Sequence, residues 1–125
     1  MYYNPIQIEK DEKQGIFSVS ITDFGLKSFK KLVKRNQKIQ VEINKIIKNL
    51  KNTPEIGREL TSDLYGMRTI SSDDGEFRVV YGLDESHKQV TVHAVGHRKH
   101  IYEKLARLLQ KVMPYTQGDG NNVFI

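Results

Sequence analysis

The residues best suited to act on an anionic substrate are concentrated in one short segment. Residues 97–102 follow Gly96, at the junction between a predicted strand and a predicted helix. The Arg98 guanidinium can balance the extra negative charge of a phosphorane-like transition state. Two histidines can act as general acid or base, and a phenol can stack on a nucleobase or relay a proton. The candidate residues in this segment are His97, Arg98, Lys99, His100 and Tyr102.

Two further arginines lie in predicted strands. Alternation within 77–83 predicts that the odd-numbered residues Phe77, Val79, Tyr81 and Leu83 face a core, which places Arg78 on the other face. In the preceding strand, the same reasoning assigns Tyr65, Met67 and Thr69 to the core and Arg68 to the face of Arg78. Two guanidiniums on one open face favour a phosphate ligand, since each can bind two phosphate oxygens. The alternative is pairing with a carboxylate of Asp73, Asp74 or Glu76.

The histidines also raise the question of a metal site. His93, His97 and His100 mix strand and turn positions, and no carboxylate stands at an obvious ligand spacing from them. We therefore expect no metal and no other cofactor. His93 has the core-side parity of Val95, so we expect a buried or edge histidine that makes one hydrogen bond.

Basic residues are clustered along the chain. Residues 27–51 contain nine Lys and Arg residues against one acid, and residues 97–111 contain five against one. Such clusters suit a polyanion, because each phosphate that is neutralised releases counterions. Lys45 and Lys48 in the first cluster are therefore candidate substrate-binding residues. The alternative is that these lysines form solvated helix faces.

Length and composition limit the class of protein. The 125 residues fit one domain, 38% of them are hydrophobic, and cysteine is absent, which excludes disulfides and thiolate metal sites. We find no apolar run long enough to span a membrane and no secretory signal, and we expect a cytoplasmic protein. Residues 1–15 are predicted to form an arm, 16–113 the domain, and 114–125 a flexible tail.

The periodicity of apolar residues predicts the elements that position these groups. A strand over 16–22 precedes a helix capped by Asp23, and a second helix covers 37–51. Strands follow at 64–71, 77–84 and 89–97, and a last helix starts near Lys99. The expected architecture is α+β, with an N-terminal strand, an antiparallel helical hairpin, a three-stranded antiparallel meander and a C-terminal helix. We expect the helices on one face of the sheet, with the other face open to a ligand.

Taken together, the chain resembles the RelE/ParE superfamily of type II toxin–antitoxin toxins over roughly residues 16–110. The resemblance depends on the order and spacing of several short motifs rather than on any one of them. These motifs are 17–32, Pro54 with Leu60, Leu64-Tyr65-Gly66-Met67-Arg68, Phe77-Arg78-Val79-Val80-Tyr81, and Val95-Gly96-His97-Arg98 with Ile101-Tyr102.

The resemblance implies a toxin that is inhibited by a cognate antitoxin. RelE-like members cleave mRNA on the ribosome by attack of a 2′-hydroxyl on the adjacent phosphate, without a metal. Arg78 and Arg98 match the two phosphate-facing arginines of the family, and Tyr102 matches a tyrosine near the start of the last helix, although it follows Arg98 more closely here. Operator DNA is a further partner, through the antitoxin complex.

The resemblance leaves three activities open. ParE members share much of the pattern, including the Gly96-His97-Arg98 turn, and are linked to DNA gyrase. The lysines that RelE has before its middle strand are replaced here by Thr69 and Ile70. A third alternative is a degenerate member that binds only its antitoxin and operator DNA.

Overall fold

The computed structural model describes residues 16–112, which form an α+β fold with the predicted order of the main elements. The predicted arm at 1–15 and the predicted tail at 114–125 lie outside the described residues. Two short 3-10 turns, Pro54–Ile56 and Ser62–Leu64, flank the shortest strand. The regular elements are β1 (Ser18–Ile21), α1 (Asp23–Arg35), α2 (Gln37–Asn49), β2 (Arg58–Glu59), β3 (Met67–Ser71), β4 (Phe77–Asp84), β5 (Gln89–His97) and α3 (Ile101–Val112).

The strands form one five-stranded sheet in the order β1-β5-β4-β3-β2. The predicted meander is confirmed, because β3, β4 and β5 pair antiparallel in sequence order. β1 pairs parallel with β5, and the two-residue β2 extends the opposite edge beside β3. The bounds of β4 and β5 agree with those predicted from the sequence.

Two local predictions were wrong. The third strand begins at Met67 rather than at residue 64, because Gly66 has a φ of +95° and the chain before it forms a 3-10 turn. That φ favours glycine, so the extended run starts only after it. Thr22, rather than Asp23, caps α1, since its Oγ1 accepts the Gly25 N–H at 3.0 Å. Asp23 is instead in the first turn, where a carboxylate complements the helix dipole.

The helical hairpin of α1 and α2 packs on one face of the sheet. Ile39 and Ile43 of α2 are buried against Val79 and Tyr81 of β4, with residues of α1 at the margin. None of the three helices within residues 16–112 has the length and apolar character needed to cross a bilayer.

The third helix packs on the opposite face, which corrects the prediction that all helices cover one face. Ile101 and Leu105 of α3 form a second cluster with Val80 of β4 and Ala94 of β5. Because neighbouring strand residues point to opposite faces, Val79 and Val80 belong to different cores, and both are 0% exposed. Val80 has the parity of Arg78 and so lies on the face that was expected to be open, and its apolar character is explained by the cover that α3 provides.

A β-bulge in β5 shifts the alternation along the strand and so changes which of its residues face each core. Val80 pairs with Ala94 while Tyr81 pairs with Val92, so His93 is an extra residue without a partner on β4. The His93 ring lies over Gly82, at 3.1 Å from the position a Gly82 Cβ would take. Burial lowers the pKa of His93 below its usual 6.5. The neutral ring is therefore the form that the fold favours.

This burial predicts a loss of stability in mild acid. Well above pH 6.5 the ring is neutral in both the folded and the unfolded chain. As the pH falls below 6.5, the unfolded chain takes up the proton first, so the free energy of unfolding decreases. Urea denaturation between pH 7.5 and 5 should show this decline, and His93→Gln should flatten it. His100→Gln, at an exposed position, is the control. Parallel declines in wild type and His93→Gln would contradict the argument.

The Tyr81 side chain connects the sheet to the segment that leads into β2. Its hydroxyl donates to the Pro54 carbonyl oxygen at 2.6 Å and accepts the Gly57 N–H at 2.9 Å, and all three residues are buried. A Cβ on Gly57 would lie 2.5 Å from this hydroxyl, so only glycine fits beside it. Burial raises the pKa of Tyr81, which keeps the phenol protonated and able to donate.

Removal of this hydroxyl should therefore destabilise the fold. Tyr81→Phe leaves the Pro54 carbonyl and the Gly57 N–H without their partner in a buried position, which costs about 1–3 kcal/mol. Urea denaturation of the purified protein measures the change. Tyr65→Phe is the matched control, because that ring is 84% exposed and its loss of a hydroxyl should change little. Equal stabilities of the two variants would be evidence against this role.

Candidate active site

Arg78 and Arg98 lie at the same end of the sheet. Arg78 of β4 is in register with Gly96 of β5, and the Arg98 N–H donates to the Glu76 carbonyl oxygen at 2.8 Å, so the ladder continues one position beyond β5. Positions 78 and 98 are therefore diagonal neighbours on the α3 face of the sheet, roughly 7–8 Å apart in such a pair. Two arginines at this spacing can bind the oxygens of one phosphodiester.

The Tyr102 phenol reaches the same face from α3. Its hydroxyl lies 3.0 Å from Thr69 Oγ1, and Thr69 of β3 pairs with Val80, two residues after Arg78. Thr69 is 4% exposed, so this hydrogen bond fixes the phenol against the sheet. The sequence assigned Thr69 to the core of Tyr81, whereas the structure places it on the α3 face.

Arg68 is separated from the other two arginines, contrary to the prediction that it shares a face with Arg78. It pairs with Tyr81, so it lies on the face of the helical hairpin. Its guanidinium donates to the carbonyl oxygens of Glu55 and Gly57 and to Glu59 Oε2 at 3.1, 2.8 and 3.2 Å. Because both faces of the sheet are covered, the assumption of a single core gave the wrong parity for β3. Arg68 secures the connection to β2.

Glu76 contacts both of the first two residues of the predicted site. Its Oε1 accepts from His97 Nε2 at 3.0 Å, and its Oε2 lies 3.8 Å from an Arg98 guanidinium nitrogen. The Lys99 backbone N–H donates to His97 Nδ1 at 3.1 Å. Both nitrogens of His97 are thus engaged, which fixes the tautomer with hydrogen on Nε2. His97 serves here to hold Glu76 and the turn in place.

The β3–β4 turn positions Glu76. Asp74 Oδ1 accepts the Glu76 N–H at 2.9 Å and the Ser72 hydroxyl at 2.7 Å, and these bonds hold the pKa of Asp74 below its usual value. Gly75 has a φ of +79°, as the turn requires. Arg78 folds back to this turn and donates to the carbonyl oxygens of Gly75 and Phe77. The turn therefore places an acid and an arginine beside the end of β5.

The remaining predicted residues fall into two groups. Lys99 and His100 are exposed in the β5–α3 turn, and the ring centroids of His97 and His100 are 6.0 Å apart. Lys45 and Lys48 are exposed on α2, whose apolar stripe packs on the opposite face from Arg78. The structure does not bring these two lysines to the site. Within residues 16–112, no three His, Asp or Glu side chains are arranged to hold a metal ion.

Glu76 is a residue of the site that was not predicted from the sequence. The sequence suggests this carboxylate only as an alternative partner for Arg68 or Arg78, whereas the structure pairs it with Arg98 and His97. A signal was present, because Glu76 directly precedes β4 and Arg98 directly follows β5 in an antiparallel hairpin. Antiparallel pairing of 77 with 97 places 76 opposite 98.

Several solved structures of bacterial toxins have a similar fold. The chain is similar to the toxin–antitoxin complex RelBE2 from Mycobacterium tuberculosis, with a TM-score of 0.56 and 24% identity over 66% of this chain and 99% of that chain. It is similar to a YoeB/ParE toxin from Agrobacterium tumefaciens, with a TM-score of 0.57 and 21% identity over 66% and 99%. A mutant of the toxin RelE from E. coli is similar with a TM-score of 0.60 and 18% identity, over 80% of this chain and 99% of that chain. At these identities the likeness shows the fold.

The sequence itself shows the family. A model of the family described as ParE-like toxin of type II bacterial toxin–antitoxin system matches residues 22–106. The chain belongs to this family of toxins. None of the curated proteins matches the chain.

The contact between Glu76 and Arg98 predicts that the carboxylate weakens anion binding at Arg98. In Glu76→Gln the amide oxygen can still accept from His97, but the negative charge beside Arg98 is lost. Inorganic phosphate should then shift the Arg98 side-chain NMR signal at a lower concentration than in wild type. Stability should change by less than about 1 kcal/mol, as for an exposed ion pair.

A matched control is available on α3. Glu103 pairs with Arg107 at 2.8 Å, one turn apart and on exposed side chains. Glu103→Gln removes the same charge near the same turn and should leave the phosphate titration of Arg98 unchanged. An identical response of both variants would show that Glu76 has no specific effect on Arg98.

Proposed function

We propose that this toxin is a ribosome-dependent endoribonuclease that cleaves mRNA without a metal. The observation that supports this most is the placement of Arg78, Arg98 and Tyr102 on one face and at one end of the sheet. Two arginines and a tyrosine at neighbouring positions of one face suit a phosphodiester with an adjoining nucleobase.

The proposed reaction is an internal transfer at phosphorus. The 2′-hydroxyl of one nucleotide loses its proton to a base, and its oxygen forms a bond to the adjacent phosphorus. The bond from phosphorus to the 5′-oxygen of the next nucleotide breaks, and that oxygen takes a proton from an acid. The products are a 2′,3′-cyclic phosphate and a 5′-hydroxyl. Arg78 and Arg98 stabilise the charge that accumulates on the phosphate oxygens.

The two histidines take different roles in this proposal. His97 is a positioning residue, because both of its ring nitrogens are engaged by Glu76 and the Lys99 backbone. The exposed ring of His100 makes no hydrogen bond among the described residues and can exchange protons with substrate. Tyr102, fixed by Thr69, either stacks on a base or relays a proton, and Lys99 adds a cation for the RNA backbone.

The proposed partners follow from the family and its relatives. Structures similar to this chain include the RelBE toxin–antitoxin complex from E. coli and the heterotetrameric YoeB–YefM toxin–antitoxin complex from Staphylococcus aureus. We extend this to a cognate antitoxin that binds and inhibits the present chain. Operator DNA would be bound through that complex. The basic surface of the toxin chain also suits association with the ribosome.

A second candidate is inhibition of DNA gyrase without nuclease chemistry. The matching family is described as ParE-like, and the chain is also similar to ParDE from Pseudomonas aeruginosa with a TM-score of 0.52 and 15% identity. This alternative predicts that Arg98 and Tyr102 can be replaced without loss of toxicity, provided that the fold is intact.

Replacement of Arg98 separates the two candidates. Induced wild-type protein should arrest growth and generate new mRNA 5′ ends that primer extension can map. Arg98→Ala should lower cleavage by about 10²–10³-fold, the usual effect of removing one group that stabilises transition-state charge. Tyr102→Phe should also reduce cleavage, because the variant loses both the hydroxyl and the hydrogen bond to Thr69 that fixes the ring.

Controls keep the outcome interpretable. Lys38→Gln, exposed on α2 and away from the site, should cleave as wild type does. Circular dichroism shows whether each variant is folded. If folded Arg98→Ala remains as toxic as wild type, or if induction changes plasmid supercoiling and produces no cleaved mRNA, the nuclease proposal is rejected and gyrase inhibition is favoured.

A further inference from the structure

A groove lies beside the candidate active site, between α1 and the start of α3. It has a volume of about 380 Å³ and is open to solvent. β1 ends at Ile21, which pairs with Val92, so the rest of β5 lacks a strand neighbour on this side. α1 takes that place, and Ser28 Oγ accepts the Val95 N–H at 3.0 Å. The groove therefore runs along the edge of β5 that faces away from β4 and Arg78.

The walls of the groove are cationic. Lys27, Lys31 and Arg35 repeat every four residues on α1, which spaces them about 6 Å apart along the helix axis. Lys104 of α3 faces them from the other wall. Within residues 16–112 none of these four cations forms an ion pair with a carboxylate, and the described lining includes no acid. The α1 wall of the groove thus carries positive charges at a regular spacing.

The floor of the groove is apolar. Phe24 and Leu32 of α1 are partly exposed in it, and Val95 of β5 and Ile101 of α3 are buried beside them. Ile101 fits closely over Gly96, where a Cβ would lie 2.9 Å from the Ile101 Cδ1. A cationic rim above an aromatic and aliphatic floor suits a strand with charged backbone and flat bases, since bases stack on such surfaces whatever their sequence.

The groove is continuous with the candidate active site. Gly96, His97 and His100 line it, and Arg98 lies between the two histidines in the turn. A strand whose phosphate is held at Arg98 would therefore pass directly into the groove. This continuity distinguishes the groove from the other lysine-rich surfaces, such as that of Lys45 and Lys48 on α2.

From these observations we propose that the groove binds the single-stranded RNA that flanks the scissile phosphate. Lys27, Lys31, Arg35 and Lys104 contact successive backbone phosphates, and the floor accepts a base. The proposal rests on the nuclease function and adds a binding track for several neighbouring nucleotides. The spacing of the cations by about one helical turn favours a phosphodiester backbone, whose charges are also regularly spaced, over the irregular charges of an acidic peptide.

Binding of an oligonucleotide that cannot be cleaved tests the groove. The probe is a fluorescent single strand of about eight 2′-O-methyl nucleotides. It lacks the attacking hydroxyl, so its affinity for the full chain is measured whether or not the protein is a nuclease. Fluorescence anisotropy over a series of NaCl concentrations gives the Kd and its dependence on salt. The groove variant is Lys27→Gln with Lys31→Gln.

The expected result is a specific loss of phosphate contacts. The groove variant should bind about tenfold more weakly, and the slope of log K against log salt should fall by about 1.4, or about 0.7 for each contact to a single strand. The control variant, Lys30→Gln with Lys38→Gln, removes the same charge from exposed helix positions outside the groove and should show a much smaller change.

Two outcomes would overturn the proposal. In the first, the groove and control variants lose the same affinity and the same slope, which means that only net charge matters. In the second, the groove variant keeps its affinity for the oligonucleotide but no longer binds the antitoxin, which means that the groove receives a protein. Failure of the nuclease function is seen separately, as wild-type protein that binds the probe through the groove but cleaves no mRNA on induction.

Discussion

The central β4–β5 pair is buried on both faces, and the rest of the structure depends on this constraint. Val79 and Tyr81 contact the helical hairpin, whereas Val80 and Ala94 contact α3, and all four are 0% exposed. Burial of such side chains contributes about 1.5–3 kcal/mol each for the larger ones. The middle of the β4–β5 pair therefore cannot contact a charged ligand. Such a ligand can reach the pair where the apolar cover ends, at the level of Arg78 and the β5–α3 turn.

At that end, the geometry is set by short-range polar contacts. Asp74 fixes the backbone of Glu76, and the carboxylate of Glu76 in turn contacts His97 and Arg98. Exposed or half-exposed ion pairs of this kind add little to stability. Their effect is on position and charge, because the carboxylate orients the arginine and partly neutralises it until a phosphate competes. The turn therefore presents a restrained cation rather than a freely moving one.

The same turn also connects two surfaces of different character. On one side the α3 face carries Arg78 and Tyr102, with side chains that can contact a single phosphodiester. On the other side, the α1 groove carries cations at regular intervals above an apolar floor. The proposed nuclease would use the first surface for the scissile bond and the second for the neighbouring nucleotides, since phosphate contacts position a strand without reading its sequence.

Local patterns in the sequence determined the order of the main elements, the bounds of β4 and β5, and the concentration of chemistry in residues 97–102. These depend on alternation, helical spacing and turn residues, which neighbours along the chain decide. Tertiary structure decided that α3 covers the second face, that Arg68 points away from Arg78, and that Glu76 contacts Arg98. Alternation sorts side chains into two sets, but it does not tell which sets are covered. That depends on packing between segments far apart in the chain, and here both sets are covered.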